Sequence, residues 1–520
     1  MKKLLTLFLS LFTLVDLAQV QQPDVLSVHV YEGSCSLSPN VCPQKDGGFI
    51  FNIYAASNGI GTIDSLCGLS GDRTIFIKYN SDASILEWIK CYAGNSHDSS
   101  FEFMFSTTDG GYILGGIGNG ASYKFLVHKE NATGTLLWTK SYGDSASAIV
   151  RGMIATEDAG YIMAGEINYT DTDFPTHYGS FMNADIGVLK FDSLGNKVWS
   201  KVIGGTGDER CRAVINGPNN GCYVIGNTPS NDYDCIGNHG GSSGSTDMYV
   251  ARLDNNGNIL WHHDLGGTGY DGGDGGYPDG NGGIIVTGSS GSNDGDVTHQ
   301  INTGGYNIWV VDLDSNNNII WNNCFGGGGQ EFSTSVCKAV DGTIWIAGQS
   351  EIKGGEVDTA YGGEDAWMVH ADNTGNFMSA KVLGSHRQDV GEMIYPLSNG
   401  NIIAGGYYDT TGGVFPLISW SGGGTFLTVF GPWPESVQQI NAINDTVSIY
   451  PNPTNNILTV EAKERDNYTV NVTDILGRTI YTTSLMDKIQ IPVNDWQAGM
   501  YYVQVVSENG FKNVQKLMVK

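Results

Sequence analysis

Carboxylates recur at fixed offsets along this chain, and they are the side chains most able to do chemistry. The glycine pairs Gly204-Gly205, Gly266-Gly267 and Gly326-Gly327 each precede an acid by the same interval, giving Glu209, Asp271 and Glu331, with Asp389 after Gly384 and Asp98 as an earlier counterpart. Placed on one ring by a repeated fold, these acids would surround a channel mouth and hold a cation such as Ca2+ or a polyhydroxylated ligand. The same spacing fits a repeated turn whose carboxylate caps free backbone amides, and that reading is preferred because a repeat propagates turns as readily as sites. A second acidic set lies in long loops: Asp171 with Asp173, Asp232 with Asp234, Asp294 with Asp296, and Glu356 with Asp358, several followed by His177, His239 or His299. Oxygen-rich loops suit calcium. Two exposed carboxylates ~5 Å apart, however, repel by only about 1 kcal/mol in water, so such loops can stay ionised without a metal. The histidines stand singly and give no zinc-type grouping. Tyr233, Tyr270, Tyr306 and Tyr361 are the aromatics that could stack on a sugar ring beside these acids.

Positioning such residues falls to a repeat. A turn of Asp or Asn with Gly, a short apolar strand ending in Gly, a variable loop, a second strand, a turn and then a Trp recur from Asp46-Gly47 through Asp109-Gly110, Asp158, Asn220-Gly221, Asp279-Gly280 and Asp341-Gly342 to Asn399-Gly400. Trp88, Trp138, Trp199, Trp261 and Trp321 mark the first five copies, Ser379 stands in the sixth Trp place, and a seventh copy ends at Thr425–Phe430 without one. The period is about sixty residues, longer than the ~40 to 50 of compact blades, with the surplus in the loop before the third strand. Each copy offers four strands, for example Arg212–Gly217, Cys222–Asn227, Asp247–Leu253 and Asn258–Leu265. One such sheet cannot bury both faces alone, so the copies must stack. The expected fold is all-β, a seven-bladed β-propeller over residues 19–432; an open solenoid is the competitor, disfavoured because four-stranded units wind poorly and no polar capping repeat stands at either end. Each Trp is expected to wedge neighbouring blades.

Within the repeat, Leu253-Asp254-Asn255-Asn256-Gly257-Asn258-Ile259-Leu260-Trp261 resembles the tryptophan-docking motif of pyrroloquinoline-quinone dehydrogenases and their non-catalytic relatives. Only that short motif matches, and catalysis is not carried over. The full repeat, Asp-Gly-Gly-Tyr through Leu-Asp-x-x-Gly-Asn-x-x-Trp, resembles the propellers that precede type IX sorting tails.

The two ends give an address. Lys2 and Lys3 precede an apolar run from Leu4 to Val15, too short to span a bilayer, with Ala18 at the expected cleavage point, so residues 1–18 read as a secretory signal peptide. No later segment reaches transmembrane length. Residues 433–446 read as a linker, after which glycine becomes sparse and alternating apolar strands describe a small Ig-like β-sandwich over 447–520. Tyr450-Pro451-Asn452-Pro453, Leu476-Gly477-Arg478, Gly499-Met500-Tyr501 and the closing Lys516-Leu517-Met518-Val519-Lys520 resemble the C-terminal sorting domain of type IX secretion substrates in Bacteroidetes. That resemblance implies handling by the type IX machinery and an address outside the cell, released or attached to its surface.

Composition agrees with an exported β protein. In 520 residues there are 73 glycines, 40% hydrophobic residues and a net charge of −27, which repels phosphate backbones and excludes nucleic acid as a partner. Nine cysteines in an exported chain predict disulfides, with Cys35–Cys42 and Cys324–Cys337 as local candidates. No phosphate-binding glycine loop and no Gly-x-Ser-x-Gly elbow is present. The leading expectation is a non-enzymatic binder of an extracellular glycan or protein. A carbohydrate-active hydrolase or lyase using ring carboxylates, and a structural surface protein, are the alternatives.

Overall fold

The computed structural model describes residues 25–32, 41–44, 46–55, 73–93, 99–118, 122–240, 245–298, 300–301, 305–409, 424–431, 447–462, 467–474, 479–496, 499–507 and 512–519. Contacts divide the chain into two compact units, Met1–Trp433 and Pro434–Lys520. The expected signal peptide and linker lie outside the described residues, as do Asp98, His299, Gly477 and Lys520. Among the described residues the fold is all-β, with one short 3-10 turn at Pro218–Asn220, and no helix is long and apolar enough to cross a membrane.

The first unit holds seven four-stranded sheets among its described residues. In one of them Arg210–Asn216, Cys222–Thr228, Asp247–Leu253 and Ile259–Leu265 follow in chain order, each antiparallel to the last. The strand Cys222–Thr228 is buried along its whole length, and Asp247–Leu253 nearly so, because both faces of the middle strands are covered by other sheets. Ile186, Val188 and Ile203 of one sheet pack with Val214, Val224 and Tyr249 of the next in a single core cluster. Another cluster joins Phe49, Ile53 and Ile77 near the start of the series to Met393, Ile403 and Leu427 at its end.

Two sequence expectations change here. The seventh copy does not end at Thr425–Phe430: Gly424–Phe430 is the third strand of its sheet, and the fourth is Val25–Glu32 from the N-terminus, with Tyr31 opposite Thr425. The missing Trp of that copy therefore has no place in the segment where it was sought. The cysteines also differ, since Cys42, Cys324 and Cys337 are buried free thiols, which removes both predicted local bridges; Cys35 itself lies outside the described residues. Burial pushes Cys42 and Cys324 up to about 12, so these thiols stay protonated and serve as small apolar side chains.

The Leu-Asp-x-x-Gly-Asn-x-x-Trp motif now has a physical account. Asp254 accepts from the backbone amides of Asn256 (2.8 Å) and Asn258 (2.9 Å) and from the Asn258 side chain (2.9 Å), which fixes the turn between third and fourth strands. Asp192, Asp314 and Asp372 repeat the arrangement with Asn196, Asn318 and Asn376. The tryptophan of the preceding sheet then lies on that turn: the Trp199 indole donates to Asn255 O at 2.8 Å, and Trp261 donates to Ser315 O at 3.2 Å. Gly257 sits at φ +80°, and a Cβ there would meet the Trp199 ring at 2.7 Å. Gly195 under Trp138 and Gly375 under Trp321 are placed alike. Thus the Trp spans neighbouring sheets, and the glycine leaves its ring room.

These contacts predict a paired result. Gly257→Ala combines a left-handed backbone with a clash and is expected to cost about 2 kcal/mol or more in a denaturant melt. Gly280→Ala, also left-handed at φ +89° but with nothing within 4 Å of its Cβ, is expected to cost only the conformational part. Equal losses would refute the role given to Trp199.

Candidate functional site

The junction acids are placed by the Gly-Gly segments that end one sheet and the first strand of the next. All four described acids are fully buried. Glu209 accepts from Gly205 N (2.8 Å), Thr228 Oγ1 (2.9 Å) and Ser230 Oγ (2.6 Å). Asp271 accepts from Gly267 N (2.7 Å), Ser292 Oγ (2.6 Å) and Ser290 Oγ. Glu331 accepts from Ser350 Oγ (3.2 Å), and Asp389 from Ser385 N (2.6 Å) and Ser385 Oγ (2.9 Å). Their oxygens are directed at turn amides and hydroxyls of their own junction, an arrangement suited to capping.

A second buried group faces each of these acids from the start of a third strand: Asp185 against Glu209, Asp247 against Asp271, Asn307 against Glu331 and Asp365 against Asp389. One oxygen of each aspartate accepts a backbone amide, from Tyr178 (2.6 Å), His239 (2.7 Å) and Tyr361 (2.7 Å) respectively. The other, Oδ1, finds no donor among the described residues in all three. In the fourth junction Asn307 uses its amide instead, donating to Glu331 Oε2 at 3.3 Å. Desolvation pushes Asp185 and Asp389 up to about 7 and Asp247 to about 6, and the facing carboxylate adds to each shift.

The loop acids are also occupied. Asp232 grips the Thr206 amide (2.8 Å) and hydroxyl (2.9 Å), and Asp294 grips Thr268 in the same way at 2.8 Å for each bond. Asp171 accepts from Asp173 N and Phe174 N, Asp173 pairs with Lys197 at 2.9 Å, Asp234 pairs with Lys201 at 3.2 Å, and Asp296 accepts from Gly266 N at 3.3 Å. His239 is not solitary, as its spacing implied, since its Nδ1 lies 2.9 Å from Asp247 and its Nε2 3.7 Å from Asp296. His177 lies 3.7 Å from Asp185. The loop folds back on the sheet start, which spacing alone does not reveal. Among the described residues no group of three or more His, Cys, Asp and Glu side chains is arranged to hold a metal ion. Of the tyrosines, Tyr233 is exposed and lies tilted against Tyr178 with centroids 4.8 Å apart, while Tyr361 is half-buried. Tyr270 meets Tyr306 edge-on at 5.6 Å, and Tyr306 meets Phe332 at 5.4 Å, forming one aromatic row.

The polar ring that sequence reasoning sought lies three residues beyond the junction acids. A cavity of about 710 Å³ is lined by residues from the first strand of every one of the seven sheets. Six of those strands carry a β-bulge, and the extra residues are Glu102, Arg151, Arg212, Asp274, Thr334 and Glu392. A bulged residue has no cross-strand partner and can be aimed away from the ladder. All but Glu102 line the cavity, together with Phe103, Tyr277 and Tyr395. Desolvation pushes Glu102 and Asp274 up to about 7 although Arg151 and Arg212 act to lower them. A second cleft, of about 380 Å³, has one buried charge, Lys129, already bonded to Thr107 Oγ1 (2.8 Å) and Asp109 (2.9 Å). The wider cavity is thus the candidate site. The sequence did carry its trace, a polar residue interrupting strand alternation at a constant offset from each junction.

The C-terminal unit has a different chemistry. Val447–Tyr450, Ile457–Ala462 and Lys488–Pro492 form one sheet, and Tyr468–Asp474, Thr479–Leu485, Gly499–Ser507 and Lys512–Val519 another, over a shared core that includes Leu458, Val470, Val503 and Leu517. Tyr450-Pro451-Asn452-Pro453 fastens the final strand: Met518 N donates to Asn452 Oδ1 at 2.9 Å, Thr454 N donates to Met518 O at 2.8 Å, and both prolines follow cis bonds. Residues 448–520 match the secretion system C-terminal sorting domain. The protein carries a type IX export tail. It is accordingly a Bacteroidetes protein that is secreted or attached to the outer cell surface. An endo-acting ulvan lyase of Formosa agariphila is 34% identical over 87 residues, which cover 16% of this chain and 17% of that protein. The chain therefore spans well under a fifth of that relative. Among solved structures, the extracellular domain of the hybrid two-component system BT3049 of B. thetaiotaomicron aligns over 92% of this chain and 72% of its own at 10% identity, with a TM-score of 0.24. Puromycin hydrolase aligns over 74% and 60% at 10% identity, with a TM-score of 0.34. At such scores neither likeness bears on fold or activity.

The paired junction carboxyls predict an unusual pH response. Their pKa values lie above the ~4 of unfolded carboxylates, so the folded protein takes up protons on acidification and is stabilised as the pH falls from about 7 toward about 4. His239, whose pKa is raised against desolvation by Asp247 and Asp296, adds to this, while His370, held down at about 4 by burial, works against it. Asp109, held at about 2 by Thr107, Lys129 and Gly111, loses its contribution only below that window. Melting temperature should therefore rise between pH 8 and pH 5. Asp247→Asn, which copies Asn307, should flatten the profile and add about 1 kcal/mol at pH 8. A melting temperature that falls over this range would refute the pairing.

Proposed function

We propose that this is an exported seven-bladed β-propeller that binds an extracellular glycan in its central channel, carried out of the cell by an Ig-like sorting domain. A signal peptide over 1–18, the propeller over 19–432, a linker over 433–446 and the tail over 447–520 complete the proposed organisation. The observation that carries the reading is the single cavity lined by all seven first strands, into which bulges direct polar side chains. Ring closure is supported by the N-terminal strand completing the last sheet and by the core shared between first and last sheets. A channel of this size, with tyrosines and a few convergent polar groups, suits a small saccharide segment. Binding without turnover is favoured because Glu209, Asp271, Glu331 and Asp389 are spent on turns. A hydrolase or lyase reading would instead rest on Asp274, which lines the channel and whose value near 7 suits acid–base work.

Thr334→Trp, which fills the channel from one bulge, is expected to weaken glycan binding at least tenfold in a glycan array or pull-down with an unchanged circular dichroism spectrum, and to lower the melting temperature because the Thr334 hydroxyl donates to Gly391 O at 2.6 Å. No captured glycan with the intact protein would overturn the reading, and polysaccharide turnover abolished by Asp274→Asn would replace it with the enzymatic one. Deletion of 448–520 is expected to stop export; the truncated protein appearing outside the cell would contradict the role of the tail.

A further inference from the structure

The bulge ring contains two arginines in different electrical states. Arg151 is engaged by Glu166 through Nε at 3.3 Å and Nη2 at 3.0 Å, and the neighbouring Arg210 is engaged by Asp208 at 2.9 and 2.6 Å. Arg212 also lines the channel and is exposed, yet among the described residues its guanidinium makes no hydrogen bond to a carboxylate. Asp274, the next bulge residue, acts on it only through charge, and desolvation raises the Asp274 carboxyl to about 7. Of the other two acids of the ring, Glu102 is on a strand two sheets earlier and Glu392 on a strand three sheets further along the series. A planar guanidinium without a partner is shaped for two parallel hydrogen bonds to a carboxylate or sulfate.

The aromatic row, none of whose members lines the cavity, begins within electrostatic reach of it. Tyr270 is within electrostatic reach of both Asp274 and Arg212, and a Cβ at Gly272 would meet its hydroxyl at 2.7 Å, so glycine leaves the ring room on the strand that bears Asp274. Tyr306 and Phe332 continue the row from the following loop and strand. The overall charge of −27 repels polyanions at large, so an anion binding here has to be recognised locally.

We propose that the channel selects a saccharide bearing an oxyanion, its carboxylate or sulfate docking on Arg212. This rests on the channel being the glycan site. Calorimetric titration of the full chain with a uronate trisaccharide, a sulfated galactose trisaccharide and a neutral galactose trisaccharide tests it, the first two arms distinguishing the oxyanions. At least one anionic ligand should bind tenfold or more tighter than the neutral one. Arg212→Gln should erase that preference, Arg212→Lys should restore part of it, and Arg210→Gln should leave it intact. Equal affinity for charged and neutral trisaccharides would overturn the inference while leaving the channel as a glycan site. An anionic preference that survives Arg212→Gln in a protein with unchanged circular dichroism would overturn the assignment to Arg212.

Discussion

The structure depends on sheets that cannot stand alone. Their two middle strands are buried on both faces, so a single copy would leave both apolar surfaces in water, at about 25 cal/mol for each Å² uncovered. Each sheet is therefore stable only against its neighbours, as the clusters uniting Ile186 with Val224 and Phe49 with Leu427 show. The other conserved-looking features of the repeat serve this stacking. Asp254 shapes a turn, Gly257 clears space over it, and Trp199 of the adjoining sheet occupies that space.

That hierarchy explains how far the sequence could be read. Four strands per copy, their order and most of their limits follow from alternation and turn residues; Asp247–Leu253 is the same seven residues in expectation and structure. Alternation starts the first strand at Arg212, two residues after its observed start at Arg210, because the bulge at Arg212 breaks the period-two pattern. The last sheet escaped for another reason. Its fourth strand lies some four hundred residues away in the chain, and pairing at that distance leaves no local pattern.

The candidate site shows the same division. Reading a fixed offset after Gly-Gly located a repeated carboxylate but could not say whether it faced a channel or its own turn. Serine at 230, 292 and 350 and threonine at 228 decide for the turn, and they lie about twenty residues away across a strand pair. Three positions further on, the bulge residues vary in charge from sheet to sheet, two basic, three acidic and one a threonine. Positions that build the repeat are held alike from copy to copy, whereas those facing the cavity vary. A site made by such variation is not visible as a motif.

The N-terminal strand that completes the last sheet bears on the order of events during synthesis. Tyr31 leaves the ribosome early and waits for Thr425, so the earliest strand acquires its neighbour after nearly all of the first unit has been made. Until then the intermediate carries an unpaired edge on Gly424–Phe430 or its predecessors, the kind of surface that recruits foreign strands. Joining head to tail therefore acts as a latch, set only when the whole series is present.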